Sequence, residues 1–168
     1  RTDDKIDLVA FEQALDLGDY GAEVVKVEPL EGDPIRAMNV ASIRGLKATF
    51  LAVNRNKRSI AVDLRSEQGK ALVLDMIRNA DVFVENFRPG VAQRLGLGYE
   101  TLAKENPRLV YCSINGFGDK GAYRDRRALD LVLQAMGGMM SITGEPGGNP
   151  LPSGAPVADY MAGLQGFT

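Results

Sequence analysis

The sequence predicts an α/β fold, a parallel sheet with helices on its faces, and the prediction rests on strand runs, one capped helix and their alternation. Short β-branched runs stop at breaking residues: Val24-Val25-Lys26-Val27-Glu28 is closed by Pro29, and Ser59-Ile60-Ala61-Val62-Asp63 reads the same way. Ser66 is a favoured helix cap, and after it Ala71, Leu72, Met76 and Ile77 recur on one face until Asn79. Strands that alternate with helices need crossover connections, and crossovers make a sheet parallel and helix-covered.

The elements follow in order. After the strand at 24–28, Gly32-Asp33-Pro34-Ile35-Arg36 has the chemistry of a turn that delivers Arg36. The strand at 59–63 and the helix at 66–79 lead into a strand at 81–85. Past the Arg88-Pro89-Gly90 turn come short helices at 91–95 and 99–104, the second stopped by Asn106-Pro107. Residues 109–114 form a further strand and 129–136 a helix. No composition shift marks a domain boundary, and the glycine-rich residues 137–154 are the candidate hinge or mobile loop.

Composition removes several function classes. The 168 residues are 45% hydrophobic and 25% charged, which is globular rather than disordered. A net charge of -2 with interspersed signs gives no uniform field for nucleic acid or membrane. No window approaches the apolar length of a membrane span, and the start lacks a signal segment. With no histidine and Cys112 as the only cysteine, zinc sites of the usual kind and His-dependent triads are excluded, so no metal is expected. Cys112 sits in an apolar run and reads as a core thiol, and the chain reads as cytoplasmic. The absent initiator Met and a terminal segment that reads as helix in progress predict a piece of a longer protein.

The chemistry concentrates at strand ends. Val84-Glu85-Asn86-Phe87-Arg88-Pro89-Gly90 ends an apolar run in polar groups, a cation and a tight turn. Ligands gather beyond the carboxyl ends of strands in such sheets, where residues 85–90 and 115–118 fall. Asn54-Arg55-Asn56-Lys57-Arg58 and Arg94 supply cations suited to phosphate, although the first group taken alone reads sooner as an ordinary solvated loop. Residues 144–148 lack the Lys-Ser/Thr of a phosphate loop. Asp159 stands alone among small and apolar residues, and the residues themselves leave open a helix cap before Tyr160 or a reactive carboxylate.

Several ordered stretches together resemble one family, the family III (CaiB/BaiF) CoA-transferases. They are Gly21-Ala22-Glu23-Val24-Val25-Lys26-Val27-Glu28-Pro29, Asn54-Arg55-Asn56-Lys57-Arg58-Ser59-Ile60, residues 80–90, Arg94-Leu95-Gly96-Leu97-Gly98-Tyr99, residues 106–111 and residues 130–138. The likeness covers residues 19–168 and implies an incomplete, Rossmann-like parallel sheet, the amino-terminal CoA-binding portion of a larger CoA-transferase. Residues 1–18 depart from the pattern, since 6–17 lack the Gly-Pro loop with which most members begin.

The resemblance assigns coenzyme A contacts to Asn54, Arg55, Asn56, Lys57, Asn86, Phe87, Arg88, Arg94, Arg127 and Asp130. It also makes Asp159 the catalytic nucleophile, ionised near neutrality if its pKa is an ordinary aspartate's, about 3.9. The implied substrates are an acyl-CoA and a carboxylic acid acceptor, exchanged through an aspartyl anhydride and an aspartyl-CoA thioester by a cytoplasmic homodimer. Two alternatives stay beside this. A racemase branch of the family uses a histidine just before the aspartate that matches Asp130, a position held here by Leu129. A CoA-binding polypeptide without turnover is the other.

Overall fold

A computed structural model describes residues 7–11 in backbone, 21–38 and 41–167, in two compact units, Arg1–Ser113 and Ile114–Thr168. Among the described residues the first unit holds a fully parallel five-stranded sheet. Its strands are β1 (Asp7–Phe11), β2 (Glu23–Glu28), β5 (Lys57–Ala61), β6 (Val82–Glu85) and β7 (Val110–Ser113), in spatial order β5-β2-β1-β6-β7. The parallel sheet expected from the alternation is present. The chain winds outward from β1 to β5, then returns to lay β6 against the other side of β1, so the strand order reverses between β1 and β6.

Sequence reasoning missed β1. Of the departing segment 1–18, only residues 7–11 are described, and the missing Gly-Pro loop otherwise lies outside the described residues. β5 starts at Lys57 rather than Ser59, because its ladder with β2 begins at the Val24↔Lys57 pair.

Helix α2 (Glu67–Asn79) covers one face of the sheet. Ser66 caps it as expected, its hydroxyl accepting from the Gly69 N–H at 3.0 Å. Glycine is required at position 69 for space: a Cβ there would lie 2.1 Å from the Asp63 carbonyl oxygen. The buried stripe of α2, Val73 and Ile77, packs with Val27, Val62, Phe83, Leu97 and Leu102 into the core. Phe83 meets Tyr111 with ring centroids 5.1 Å apart. Helices α3 (Val91–Arg94) and α4 (Tyr99–Glu105) contribute Ala92 and Leu102 as buried residues. Buried Asn106 closes the end of α2, donating to the carbonyls of Ile77 (2.9 Å) and Ala80 (2.8 Å).

The segment between β2 and β5 is richer than a loop. It contains a 3-10 turn at Pro34–Ala37, the hairpin β3 (Ser42–Ile43) and β4 (Leu46–Lys47), and helix α1 (Ala48–Val53). This excursion supplies partners for the charged side chains of β2: buried Lys26 pairs with buried Asp33 and donates to Asn54 Oδ1 at 2.8 Å. The Arg36 guanidinium stacks on Phe50 at 3.8 Å.

The second unit contains α5 (Asp130–Met136), a 3-10 turn at Met139–Ile142 and α6 (Val157–Phe167). The last helix begins earlier than expected. The Pro156 carbonyl already accepts from the Tyr160 N–H at 3.1 Å, so Asp159 lies inside the first turn and is not a cap.

Ile77 is fully buried in the core, so trimming it reports packing directly. Ile77→Val is expected to cost about 0.5–1.5 kcal/mol and Ile77→Ala about 2–5 kcal/mol. Urea unfolding midpoints measure both; a loss for Ile77→Ala no larger than that for Ile77→Val would contradict burial of the whole side chain in the core.

Candidate functional site

Parallel strands place all their carboxyl ends on one edge, and the described cleft of the first unit opens there. Its volume is about 650 Å³, and its walls include Glu28 at the end of β2, Asp63 and Arg65 after β5, Phe87 after β6, and Arg94 on α3. Pro29, Leu30, Val62, Leu64, Val91 and Leu95 give it an apolar floor. Cations beside apolar and aromatic surface suit a ligand with a phosphate group and a flat or aliphatic body.

The acids in this wall are not equivalent. Burial pushes the Glu28 carboxyl up, but hydrogen bonds from the Arg36 guanidinium (3.0 and 3.1 Å), the Ser59 hydroxyl (2.8 Å) and the Asp33 N–H (2.9 Å) outweigh it. The net result is a carboxyl lowered to about 2, an ion neutralised by Arg36. Arg65 and Arg94 are exposed along the same wall.

The turn after β6 is held from below by Glu85. This buried carboxylate accepts from the Phe87 N–H at 2.7 Å, and from the Tyr111 hydroxyl at 3.4 Å, which also reaches the Leu97 carbonyl at 3.2 Å. Burial and the Glu85 charge raise the Tyr111 hydroxyl, and the same two causes push the Cys112 thiol up, although Cys112 is half-buried on β7 rather than part of the core as expected. Asn86 follows directly, at the place where the strand order reverses. Its side-chain oxygen is buried and accepts no hydrogen bond among the described residues. An unsatisfied buried acceptor costs about 1–3 kcal/mol, which a ligand donor would recover. Gly90, at φ 78°, closes the turn and starts α3, and a Cβ there would lie 3.1 Å from Arg94 Nη1.

The expected site residues thus divide. Phe87 and Arg94 share the cleft, with Asn86 and exposed Arg88 on the same turn. Asn54, Arg55, Asn56 and Lys57 lead into the amino end of β5 and are not among the lining residues. Asn54 accepts from Lys26 and donates to the Phe50 carbonyl at 2.9 Å, while Lys57 donates to the Val53 carbonyl at 2.5 Å, so both finish α1. Arg65 was missed by sequence reasoning. Its signal was position, since it lies in the loop beyond the carboxyl end of a parallel strand.

Arg127, Asp130 and Asp159 belong to the second unit, where Arg127 is exposed. Asp130 opens α5, and its carboxylate is engaged within the unit: one oxygen accepts from the Ala158 N–H at 2.8 Å, the other from Gln134 Nε2 at 2.6 Å. Asp130 therefore satisfies an amide at the start of α6, the task that sequence alone offered to Asp159. The Asp159 carboxyl is half-buried and has no hydrogen bond or ion pair among the described residues. Burial, and then the nearby Asp130 charge, raise its pKa above the ordinary aspartate value. A carboxylate in these surroundings is more basic than a solvated one. Among the described residues no group of His, Cys, Asp or Glu forms a metal cluster, and no helix is long and apolar enough to cross a membrane.

Comparison with known proteins fits this geometry. The family model described as CoA-transferase family III matches residues 14–167. A succinate–glutarate CoA-transferase of Agrobacterium fabrum is 46% identical over 155 residues, covering 88% of this chain and 39% of that protein. The human succinyl-CoA:glutarate CoA-transferase is 40% identical over 154 residues, covering 91% of this chain and 35% of that protein. The crystal structure of a CaiB/BaiF family protein from Brucella suis superposes with a TM-score of 0.86 at 39% identity, covering 96% of this chain and 48% of that one. The chain thus spans well under half the length of these curated relatives.

The charged group that the described residues bring to bear on Asp159 is Asp130. In a 13C NMR titration the Asp159 carboxyl should have its midpoint above about 3.9, and Asp130→Asn should move it down without restoring that value, because burial remains. An unmoved midpoint would show that the like charge does not reach position 159.

Proposed function

The chain belongs to CoA-transferase family III, and from that premise we propose that it forms the CoA-binding, nucleophile-bearing portion of an enzyme that moves coenzyme A from an acyl-CoA to a free carboxylic acid. The observation that carries this function is Asp159: a half-buried carboxylate without a hydrogen-bonding or ionic partner among the described residues, in the first turn of a helix flanked by small residues. A carboxylate kept only for helix capping would be bonded to the helix start, and here Asp130 does that instead.

In the proposed exchange an Asp159 oxygen attacks the acyl-CoA carbonyl carbon; a C–O bond forms, the C–S bond breaks, and CoA leaves as thiolate. The thiolate then attacks the Asp159 carbonyl of the mixed anhydride, releasing the donor acid and leaving an aspartyl-CoA thioester. The acceptor carboxylate repeats the first step on that thioester, and returning thiolate frees Asp159 and makes the new acyl-CoA. No proton needs to move in any of these steps. A chain without histidine is chemically consistent with it.

CoA is substrate throughout. Asn86, Phe87, Arg88 and Arg94 are its proposed contacts in the first unit, with Arg65 added by the geometry of the cleft and the Asn86 oxygen as an acceptor in need of a donor. Asn54, Arg55, Asn56, Lys57, Arg127 and Asp130 are proposed from the resemblance alone. The names of the relatives support a short dicarboxylate as acceptor. The same family reading carries a homodimer in the cytoplasm.

In the full-length polypeptide, Asp159→Asn is expected to lower kcat on the order of 10³-fold or more. Hydroxylamine added during turnover should modify Asp159, detectable as a hydroxamate by peptide mass spectrometry, and unimpaired Asp159→Asn turnover would refute the nucleophile. Arg65→Ala and Arg94→Ala should each raise KM for acyl-CoA by about ten- to hundredfold, the worth of a charge-assisted hydrogen bond. An unchanged KM in both would remove the cleft from CoA binding.

A further inference from the structure

We propose that Gln134 is a positioning residue, which through Asp130 and the backbone of residues 153–155 fixes the amino end of α6 and with it the carboxylate of Asp159. The proposal rests on the reading of Asp159 as nucleophile.

Gln134 is the one buried residue among the seven of α5, 3% exposed on a helix that otherwise faces outward or is half-covered. An amide taken from water costs several kcal/mol unless it is fully bonded, and this one is. Its Oε1 accepts from the Ser153 N–H at 2.8 Å, and its Nε2 donates to Asp130 Oδ2 at 2.6 Å and to the Ala155 carbonyl at 3.4 Å. The Ser153 hydroxyl donates to that same carbonyl at 2.5 Å. Asp130 passes the constraint on, its Oδ1 accepting from the N–H of Ala158, the residue before Asp159.

The amide can sit only one way round. Reversed, the Nε2 would face the Ser153 N–H, donor against donor, and the Oε1 would face the Asp130 carboxylate, acceptor against acceptor. Gln134 therefore selects the Asp130 rotamer that reaches Ala158, and ties the segment entering α6 to α5. A helix start that shifts by an ångström moves the nucleophile by as much, and such a displacement from an attack geometry costs up to about a hundredfold in rate.

A swapped pair isolates the role. Gln134→Glu sets carboxylate against carboxylate, and Asp130→Asn sets an amide donor against the Gln134 donor. Together they restore the bonds to positions 130, 153 and 158: the introduced asparagine side chain donates to the introduced glutamate and accepts from the Ala158 N–H, while the glutamate accepts from the Ser153 N–H and leaves the Ala155 carbonyl to the Ser153 hydroxyl. In the full-length polypeptide each single variant should lose kcat by about ten- to hundredfold, Gln134→Glu with KM for acyl-CoA unchanged, and the kcat of the double variant should recover to within about threefold of the parent. Hydrogen exchange of the Ala158 amide should accelerate in each single variant and slow again in the double, a readout independent of turnover.

Single variants that keep kcat, or a double variant no better than either, would overturn the role of Gln134. So would a loss of kcat that only tracks a loss of folded protein. Asp159→Asn measured in parallel separates the two levels: if it keeps turnover, the nucleophile reading fails; if it is inactive while the Gln134 variants are unimpaired, only the positioning role fails.

Discussion

The first unit is organised around two ions that its sheet buries. A parallel strand has both faces covered, and β2 carries Lys26 and Glu28, each at most 4% exposed. An unpaired ion there would cost several kcal/mol, more than most single contacts can offset. Asp33 and Asn54 meet Lys26, and Arg36, Ser59 and the Asp33 N–H meet Glu28. Those partners come from both ends of the excursion between β2 and β5 and, in Ser59, from β5 itself. The path of the chain over that face is set by where the two charges need company, while the opposite face follows ordinary apolar packing against α2.

The same sheet decides where chemistry can occur. Because all the strands run one way, the loops after β2, β5 and β6 meet on one edge, and the reversal of order between β1 and β6 opens a crevice there. Glu28 ends the first of these strands already neutralised by Arg36, so the cleft cations left to face a ligand are Arg65 and Arg94. Glu85 ends another, and by accepting the Phe87 N–H it turns the backbone and leaves the Asn86 oxygen buried without a donor among the described residues. Among the described residues that oxygen is the buried side-chain polar atom left without a partner, and it sits at the carboxyl edge of the sheet, where a donor from a bound molecule could satisfy it.

What the sequence made legible was whatever is decided locally. Val24 to Glu28 stop at Pro29, and Ser66 caps a helix with a single apolar stripe, so β2 and α2 were readable from a few neighbouring residues. β1 was not: Leu8-Val9-Ala10-Phe11 is a short apolar run without a breaker beside it, and such a run fits strand and helix alike. The excursion was hidden because its ordering contacts are distant, Lys26 to Asn54 being 28 residues apart. The start of α6 was misplaced for the same reason. Aspartate is a preferred cap, which pointed at Asp159, yet the carboxylate that bonds the helix start is Asp130, 28 residues from the Ala158 amide it accepts from. Arg65, which lines the cleft, went unseen because a cluster of cations drew attention to 54–58, while its own place beyond the carboxyl end of β5 is visible only once the strand direction is known.

The proposed exchange asks little of the protein beyond the placement and basicity of one carboxylate, since thioester, anhydride and thiolate trade places without proton transfer. Asp130 acts on both properties with opposite requirements. Its charge, behind burial, raises the pKa of Asp159, which strengthens the nucleophile but holds it protonated to higher pH. Its hydrogen bonds to Gln134 and Ala158 draw that charge toward donors and soften its reach. With Gln134 unchanged, a neutral residue at position 130 would leave a weaker nucleophile on a looser helix start, and a carboxylate with no donors around it would hold Asp159 protonated to higher pH. The bonded carboxylate lies between these failures, so the buried amide of Gln134 affects the reactivity of Asp159 as well as its position.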